Sequence, residues 1–225
     1  NFIKNFDTID LHAVPGSGKT TALIAKLLIL ERKLPFEDGS GILVISHTNT
    51  AVDEIKDKIG DYCTKLFSYP NFIGTIQSFV NQFLAKQFGI NVLENKISHV
   101  DTNTYKNEIL KRYNKIKWDS EYDKIATLFY GRNADKAKKI AKYHEENEQK
   151  IRKRLIKAEV KNIYFDFKNN SIREFKNDDT IISDPNNNKY IGLKKIILEV
   201  LKSGIISYEY AYKLAFYYLD RFQKA

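Results

Sequence analysis

The chain has 225 residues but no methionine, one cysteine, one tryptophan and four prolines. Cys63 stands alone, so no internal disulfide can form and a thiolate metal site is not expected. The four histidines, at 12, 47, 99 and 144, have no metal-ligand spacing, and no nucleophile triad is suggested. No apolar run approaches the ~20 residues that a helix needs to cross a bilayer. The longest, Ala22–Leu30, is broken by Lys26. Asn1–Asp10 is mixed polar and lacks the pattern of a signal peptide. A cytoplasmic location with no membrane partner is the expectation. The missing methionine and the asparagine at position 1 further suggest part of a longer protein, or a sequence that has lost residues.

What is present fits an ordinary water-soluble chain, with 43% hydrophobic and 29% charged residues. The length suffices for one large domain or two small ones. The formal charge is +9, unevenly spread. Residues 1–99 hold ten basic and ten acidic side chains, residues 100–160 hold sixteen and ten, and residues 161–225 hold eleven and eight. A basic section can track a phosphate backbone. A lysine-rich composition with solvated charges gives the same count.

Apolar spacing divides the chain further. Thr8–Val14 reads as a short strand running into a Gly/Pro turn. Thr20–Leu34 reads as a helix with Leu23, Leu27, Leu30 and Leu34 on one stripe and Pro35 as its stop. Gly41–Ser46 is a continuous apolar run, as in a strand buried on both faces. A helix over Thr50–Ile59, a strand over Asn71–Ile76 and a helix over Gln77–Phe88 follow. This alternation predicts a parallel α/β sheet. Beyond Gly89–Ser98 the pattern becomes helical: Tyr105–Tyr113, Glu121–Tyr130 and a long polar helix over Ala134–Val160. A hairpin over 162–175, a polar loop over Asp178–Lys189 and helices at Ile191–Lys202 and Ser207–Phe222 complete the reading. The tyrosines at 208, 210, 212, 217 and 218 read as a core or interface stripe.

Ala13-Val-Pro-Gly-Ser-Gly-Lys-Thr20 nearly fits G-x-x-x-x-G-K-[ST], with Ala13 in place of the first glycine. Gly16 and Gly18 permit backbone angles that aim successive N–H groups at an anion, and the helix that follows adds its N-terminal dipole. Pro15, Gly16, Ser17, Gly18, Lys19, Thr20 and Thr21 are therefore the candidate nucleotide-binding residues. Lys19 would reach the β- and γ-phosphates of ATP, and the Thr20 hydroxyl would face Mg²⁺. A phosphate loop alone leaves kinases, GTPases, transporters and motor ATPases open.

Two later segments discriminate. Ile42–Asp53 is an apolar strand that ends in His47-Thr48-Asn49 and enters a helix, and it resembles the second motif of superfamily 1 helicases. Phe72-Ile-Gly-Thr-Ile-Gln-Ser-Phe79 resembles the motif that follows in that class. Their order after the phosphate loop is similar to that of UvrD/Rep-type DNA helicases over residues 8–88. The resemblance implies that His47, Thr48, Asn49, Thr75, Gln77 and Ser78 contact single-stranded DNA. It departs from the family pattern at His47, Ile76 and Gln77, and Thr48-Asn49 also reads as a helix cap.

The resemblance further implies a P-loop NTPase parallel sheet over residues 1–90, the start of motor subdomain 1A. Residues 91–204 would be an α-rich, basic inserted subdomain like 1B, and residues 205–225 a helix returning toward 1A. ATP, Mg²⁺, single-stranded DNA and a second motor domain are the implied cofactors and partners. The apolar strand ending in Asp-Glu that the family uses for hydrolysis is not found: Asp166 is followed by Phe167, and Asp220 lies on a predicted helix. A phosphate-loop small-molecule kinase and a nucleic-acid-binding module without hydrolysis are the rival readings.

Overall fold

The computed structural model describes residues 2–3, 5, 7–8, 10–12, 14 and 16–222. The chain divides into two compact units, Asn1–Phe79 and Val80–Ala225.

The first unit contains α1 (Lys19–Glu31), β1 (Leu43–Ser46), α2 (Asn49–Ile59), β2 (Phe72–Thr75) and the single turn α3 (Ile76–Phe79). The leucine stripe behaves as its spacing predicts. Leu27 and Leu34 are buried, Leu23 and Leu30 are partly covered, and all pack with Val52, Ile55 and Ile59 of α2 and with Ile73 of β2. The irregular segment between α2 and β2 is stitched to this core through its backbone. The Glu31 carboxylate accepts the N–H groups of Lys65 (3.2 Å) and Leu66 (2.8 Å). Lys65 Nζ donates to the carbonyl of Leu34 at 2.7 Å, and the Asn71 amide donates to the carbonyls of Lys65 and Ser68. Cys63 is buried there, and burial, aided by the charge of Glu31, pushes its thiol pKa up.

Two expectations for this unit fail. Thr8, Asp10, Leu11, His12 and Val14 belong to no strand, and Ile9 and Ala13 lie outside the described residues. An extended segment becomes a strand only by pairing, and β1 and β2 pair with each other alone among the described residues. Nor is β1 covered on both faces: Leu43 and Ile45 remain 51% and 41% exposed, because only the alternate face meets the leucine core.

The second unit begins with a π-helical stretch (Val80–Ala85) and α4 (Lys86–Leu93). It continues through β3 (His99–Val100), α5 (Thr102–Ile116), α6 (Ala126–Arg132), α7 (Ala134–His144) and α8 (Glu148–Val160). Then come β4 (Ile163–Asp166), β5 (Ser171–Glu174), β6 (Thr180–Ile182), α9 (Asn188–Lys202), β7 (Ile205–Ile206) and α10 (Tyr208–Phe222). The expected long helix over 134–160 is two helices. Glu145 turns left-handed at φ 54°, and Asn147 caps α8 by accepting the N–H of Lys150 at 3.1 Å. An asparagine is favoured at a helix start and not in an interior, so the polar Glu-Glu-Asn run breaks the helix. The helix expected over 121–130 is a 3₁₀ turn at Ser120–Tyr122 followed by α6, with Asp123 and Lys124 at positive φ between them. The expected hairpin is present as β4–β5, and the supposed loop after Asp178 supplies a third antiparallel strand, β6.

Helix α9 runs through the core with Tyr190, Leu193, Ile196, Ile197, Val200 and Leu201 buried. Beside it, Tyr210 of the last helix and Tyr105 of α5 have a definite task. Ile163 and Phe165 direct their backbone groups away from β5, along an edge of β4 that no strand among the described residues covers. The hydroxyl of Tyr210 donates to the carbonyl of Phe165 at 2.8 Å and accepts its N–H at 3.2 Å. The hydroxyl of Tyr105 donates to the carbonyl of Ile163 at 3.0 Å. Both rings are fully buried and meet edge to face at 5.7 Å. Burial pushes both phenols far up, so both stay protonated donors. Tyr217 and Tyr218 pack at the margin of the same core, and Tyr208 is exposed.

Removing the Tyr210 hydroxyl leaves one buried N–H and one buried carbonyl with no replacement, at about 1–3 kcal/mol. Tyr210→Phe should therefore lower the urea midpoint of the second unit, whereas Tyr208→Phe on the exposed face should leave it unchanged. A pH dependence follows from the hairpin turn. Burial raises the pKa of Asp166, but hydrogen bonds from Asn169 and Arg173 and from two backbone N–H groups outweigh it, and its carboxyl lies below the ordinary value. Its stabilisation is complete above the unfolded carboxylate pKa of ~3.9 and is lost as pH falls through the lower folded value. The gap in urea midpoint between wild type and Asp166→Asn should accordingly hold as pH is lowered from about 6 to about 4 and narrow as pH falls further.

Candidate functional site

The Gly16–Gly18 turn enters α1 without any side-chain cap. Gly16 and Gly18 both have φ +81°, and a Cβ built at either would meet nothing within 4 Å. Gly18 occupies the N-cap of α1, whose first turn holds no acidic residue. The left-handed angles are the ones that curl a backbone around an anion, and a glycine adopts them without a steric cost. Ser17 N–H donates to the carbonyl of Val14 at 3.2 Å, and Lys19 Nζ reaches back to the same carbonyl at 2.8 Å. The ammonium is thus folded over the loop rather than extended along the helix. Thr20 is half-buried and Thr21 exposed. Pro15 lies outside the described residues. The arrangement fits a phosphate chain: an exposed glycine turn, a helix N-terminus and a lysine across the turn.

Among the described residues, no group of three or more His, Cys, Asp or Glu side chains could hold a metal ion. A magnesium ion carried on nucleotide phosphates keeps most of its ligands as water and phosphate oxygens and needs few from the protein.

The second part of the site follows from strand direction. β1 and β2 run parallel, with Leu43 opposite Phe72 and Ser46 opposite Thr75. Both strands therefore deliver their following loops to the same edge. His47, Thr48 and Asn49 are exposed after β1. Thr48 caps α2: its hydroxyl accepts the N–H of Ala51 at 3.4 Å, and its own N–H donates to Ser46 Oγ at 3.3 Å. After β2, Thr75 and Ser78 close a small hydroxyl pair. Ser78 Oγ donates to the Thr75 carbonyl at 2.8 Å, and Ser78 N–H donates to Thr75 Oγ1 at 3.2 Å. Gln77 is half-buried between them.

Sequence reasoning missed the residue that sets this register. Asn71 Oδ1 accepts the N–H of Ile42 at 2.8 Å, tying the start of β2 to the start of β1 across 29 residues. A long-range pair of this kind leaves no local pattern. The two candidate acids have other employment in the second unit. Asp166 accepts from Arg173 Nη1 at 3.2 Å and from Asn169 at 2.7 Å in the hairpin turn, and Asp220 pairs with Lys168 at 2.8 Å.

The family model for the UvrD/REP helicase N-terminal domain matches residues 6–220, and the chain belongs to that family. No curated protein sequence matches the chain, and no solved structure does.

The geometry separates two neighbouring polar residues. Thr48→Ala removes a helix cap and should destabilise the first unit by about 1 kcal/mol in a urea titration. Asn49→Ala, one position on, makes no capping bond in the structure and should leave that midpoint within about 0.5 kcal/mol of wild type.

Proposed function

We propose that this UvrD/REP-type domain is the ATP- and strand-binding part of an ATP-dependent DNA helicase. One observation carries the reading. A single unit holds an uncapped glycine turn at the head of α1 and, at the carboxyl end of two parallel strands, the exposed polar loop His47–Asn49 beside the partly exposed Thr75–Ser78 turn. Open parallel sheets take their ligands at that end.

In this reading β1 and β2 belong to the parallel sheet of a P-loop NTPase, subdomain 1A over residues 1–90. Residues 91–204 are the α-rich inserted subdomain, and residues 205–225 return toward 1A. The backbone of Gly16, Ser17 and Gly18, flanked by Pro15 and Thr21, cradles the phosphates. Lys19 leaves the Val14 carbonyl to meet the β- and γ-oxygens with charge-assisted hydrogen bonds. Thr20 would hold Mg²⁺ through its hydroxyl, and the ion would neutralise charge on the phosphate oxygens. Asn49, Thr75, Gln77 and Ser78 hydrogen-bond the sugar-phosphate backbone of single-stranded DNA, which fixes a strand without reading its sequence. Thr48 contributes its backbone beside the cap it already makes. The His47 ring offers a face to a base. Hydrolysis needs a metal-holding acid, a water-orienting Glu and an Arg facing the γ-phosphate, and these are assigned to the rest of the enzyme with its second motor domain. In this reading the enzyme works in the cytoplasm, where one cysteine and no disulfide are ordinary. No helix among the described residues is long and apolar enough to cross a membrane.

Titration with a fluorescent ATP analogue tests the loop. Lys19→Ala should weaken binding by roughly 10- to 150-fold, from the ~1.5–3 kcal/mol of a hydrogen bond to a charged group; equal affinities would sink the assignment. Fluorescence anisotropy of labelled oligothymidylate tests the edge. Binding should weaken steeply as salt rises, and Asn49→Ala should lower affinity with its fold intact. Binding indifferent to salt would count against a strand on this edge. Residues 1–225 alone should release no phosphate from ATP, with or without DNA.

A further inference from the structure

The only tryptophan of the chain, Trp118, is 56% exposed in the second unit. It follows α5 directly and stands over Tyr130 of α6, with ring centroids 6.1 Å apart and planes tilted by 45°. Together they wall a groove of about 540 Å³ that also takes in Tyr113, Lys117, Lys153 and Lys157 and has no carboxylate in its lining. That volume is in the usual range of ~300–1,000 Å³ for a small-ligand site.

The charge in this groove is uncompensated for a specific reason. Lys153 and Lys157 are one helical turn apart on α8, and the two acids of that helix, with Glu146 just before it, are taken by arginines. Glu148 pairs with Arg152, Glu146 with Arg154 at 4.0 Å, and Glu159 with Arg132 at 2.6 Å. Glu159 also accepts from Asn133. Neither lysine makes an ion pair among the described residues. Lys117 donates to the neutral Asn114 side chain at 2.7 Å and lies 5.9 Å from the centre of the Tyr113 ring. The groove thus offers an exposed indole face beside three ammonium groups. The basic excess of residues 100–160 has a local form here: arginines neutralised along α8, lysines left facing one aromatic wall.

We infer that this groove binds single-stranded nucleic acid, with a base stacked on Trp118 and the flanking phosphates held by Lys117, Lys153 and Lys157. Stacking uses the π-face common to every base, and the ammonium groups meet charge present at every nucleotide, so the contact is sequence-tolerant. A peptide could use the aromatic wall, but three lysines without a carboxylate favour a polyanion. The site lies in a different unit from the sheet-edge loops and does not depend on their assignment.

The test exploits Trp118 as the sole indole. Unlabelled oligothymidylate is titrated at low salt into the wild-type chain while tryptophan emission is recorded, and a labelled oligonucleotide gives total binding by anisotropy. Emission should be quenched along the same isotherm, and quenching at saturation should persist in Asn49→Ala. Trp118→Ala should weaken binding by roughly 5- to 150-fold, with Trp118→Phe close to wild type. Replacing Lys117, Lys153 and Lys157 together by Gln should flatten the log–log salt slope by about 2, from ~0.7 per phosphate contact on a single strand. Anisotropy that reports binding while emission stays unmoved would overturn the groove and leave the sheet edge standing, as expected if the wall takes a protein segment. Quenching without any effect of Asn49→Ala on affinity would support the groove and count against the edge. No binding by either readout would overturn both.

Discussion

The direction of one strand pair governs the functional reading of the first unit. Leu43–Ser46 and Phe72–Thr75 run parallel, so Ser46 and Thr75 are neighbours and the loops after them emerge side by side. Were the pair antiparallel, Ser46 would sit opposite Phe72, and the His47–Asn49 and Thr75–Ser78 segments would leave from opposite ends. Parallel pairing requires a long crossover, and α2 with the segment after it provides one. That crossover is irregular past Ile59, and its geometry rests on side chains that serve as backbone partners: Glu31 for two N–H groups and Asn71 for the first position of the ladder. Small changes far from the polar loops, at Glu31 or Asn71, thus bear on how those loops are presented.

How much of this was legible in the sequence depends on the range of the interaction behind each feature. Helix α1 and its leucine face, the capped start of α2, and the β4–β5 hairpin arise from spacings of two to four residues, and each was read correctly. The glycine turn was readable for the same reason, since the need for positive φ at Gly16 and Gly18 is local. The family was readable because three short motifs occur in a fixed order, and the match over residues 6–220 bears that out.

What failed had a non-local cause or a close local competitor. The apolar run Ile42–Ile45 suggested burial on both sides, but periodicity counts apolar residues and cannot count the layers that cover them. The segment Thr8–Val14 has strand composition and no ladder among its described residues. The break at Glu145–Asn147 was hidden because Ala137, Ile140, Ala141, His144, Ile151, Leu155 and Ala158 keep one helical stripe across it, although Asn147 is a good helix start. Strand β6 exists because Ile172 and Arg173 offer it an edge, and a three-residue strand has little pattern of its own. The groove at Trp118 joins α5, α6 and α8, and no window of sequence contains it.

The two tyrosine hydroxyls set against β4 also decide how that sheet can meet other chains. An uncovered strand edge is a template: its alternating N–H and carbonyl groups will accept any extended peptide that offers the complement. On β4 these positions are answered by the phenols of Tyr105 and Tyr210, which satisfy Phe165 on both counts and Ile163 at its carbonyl. A side-chain hydroxyl ends the ladder where a strand would extend it. Recognition by strand addition is therefore closed on this edge, and so is the runaway stacking of sheets that begins from one.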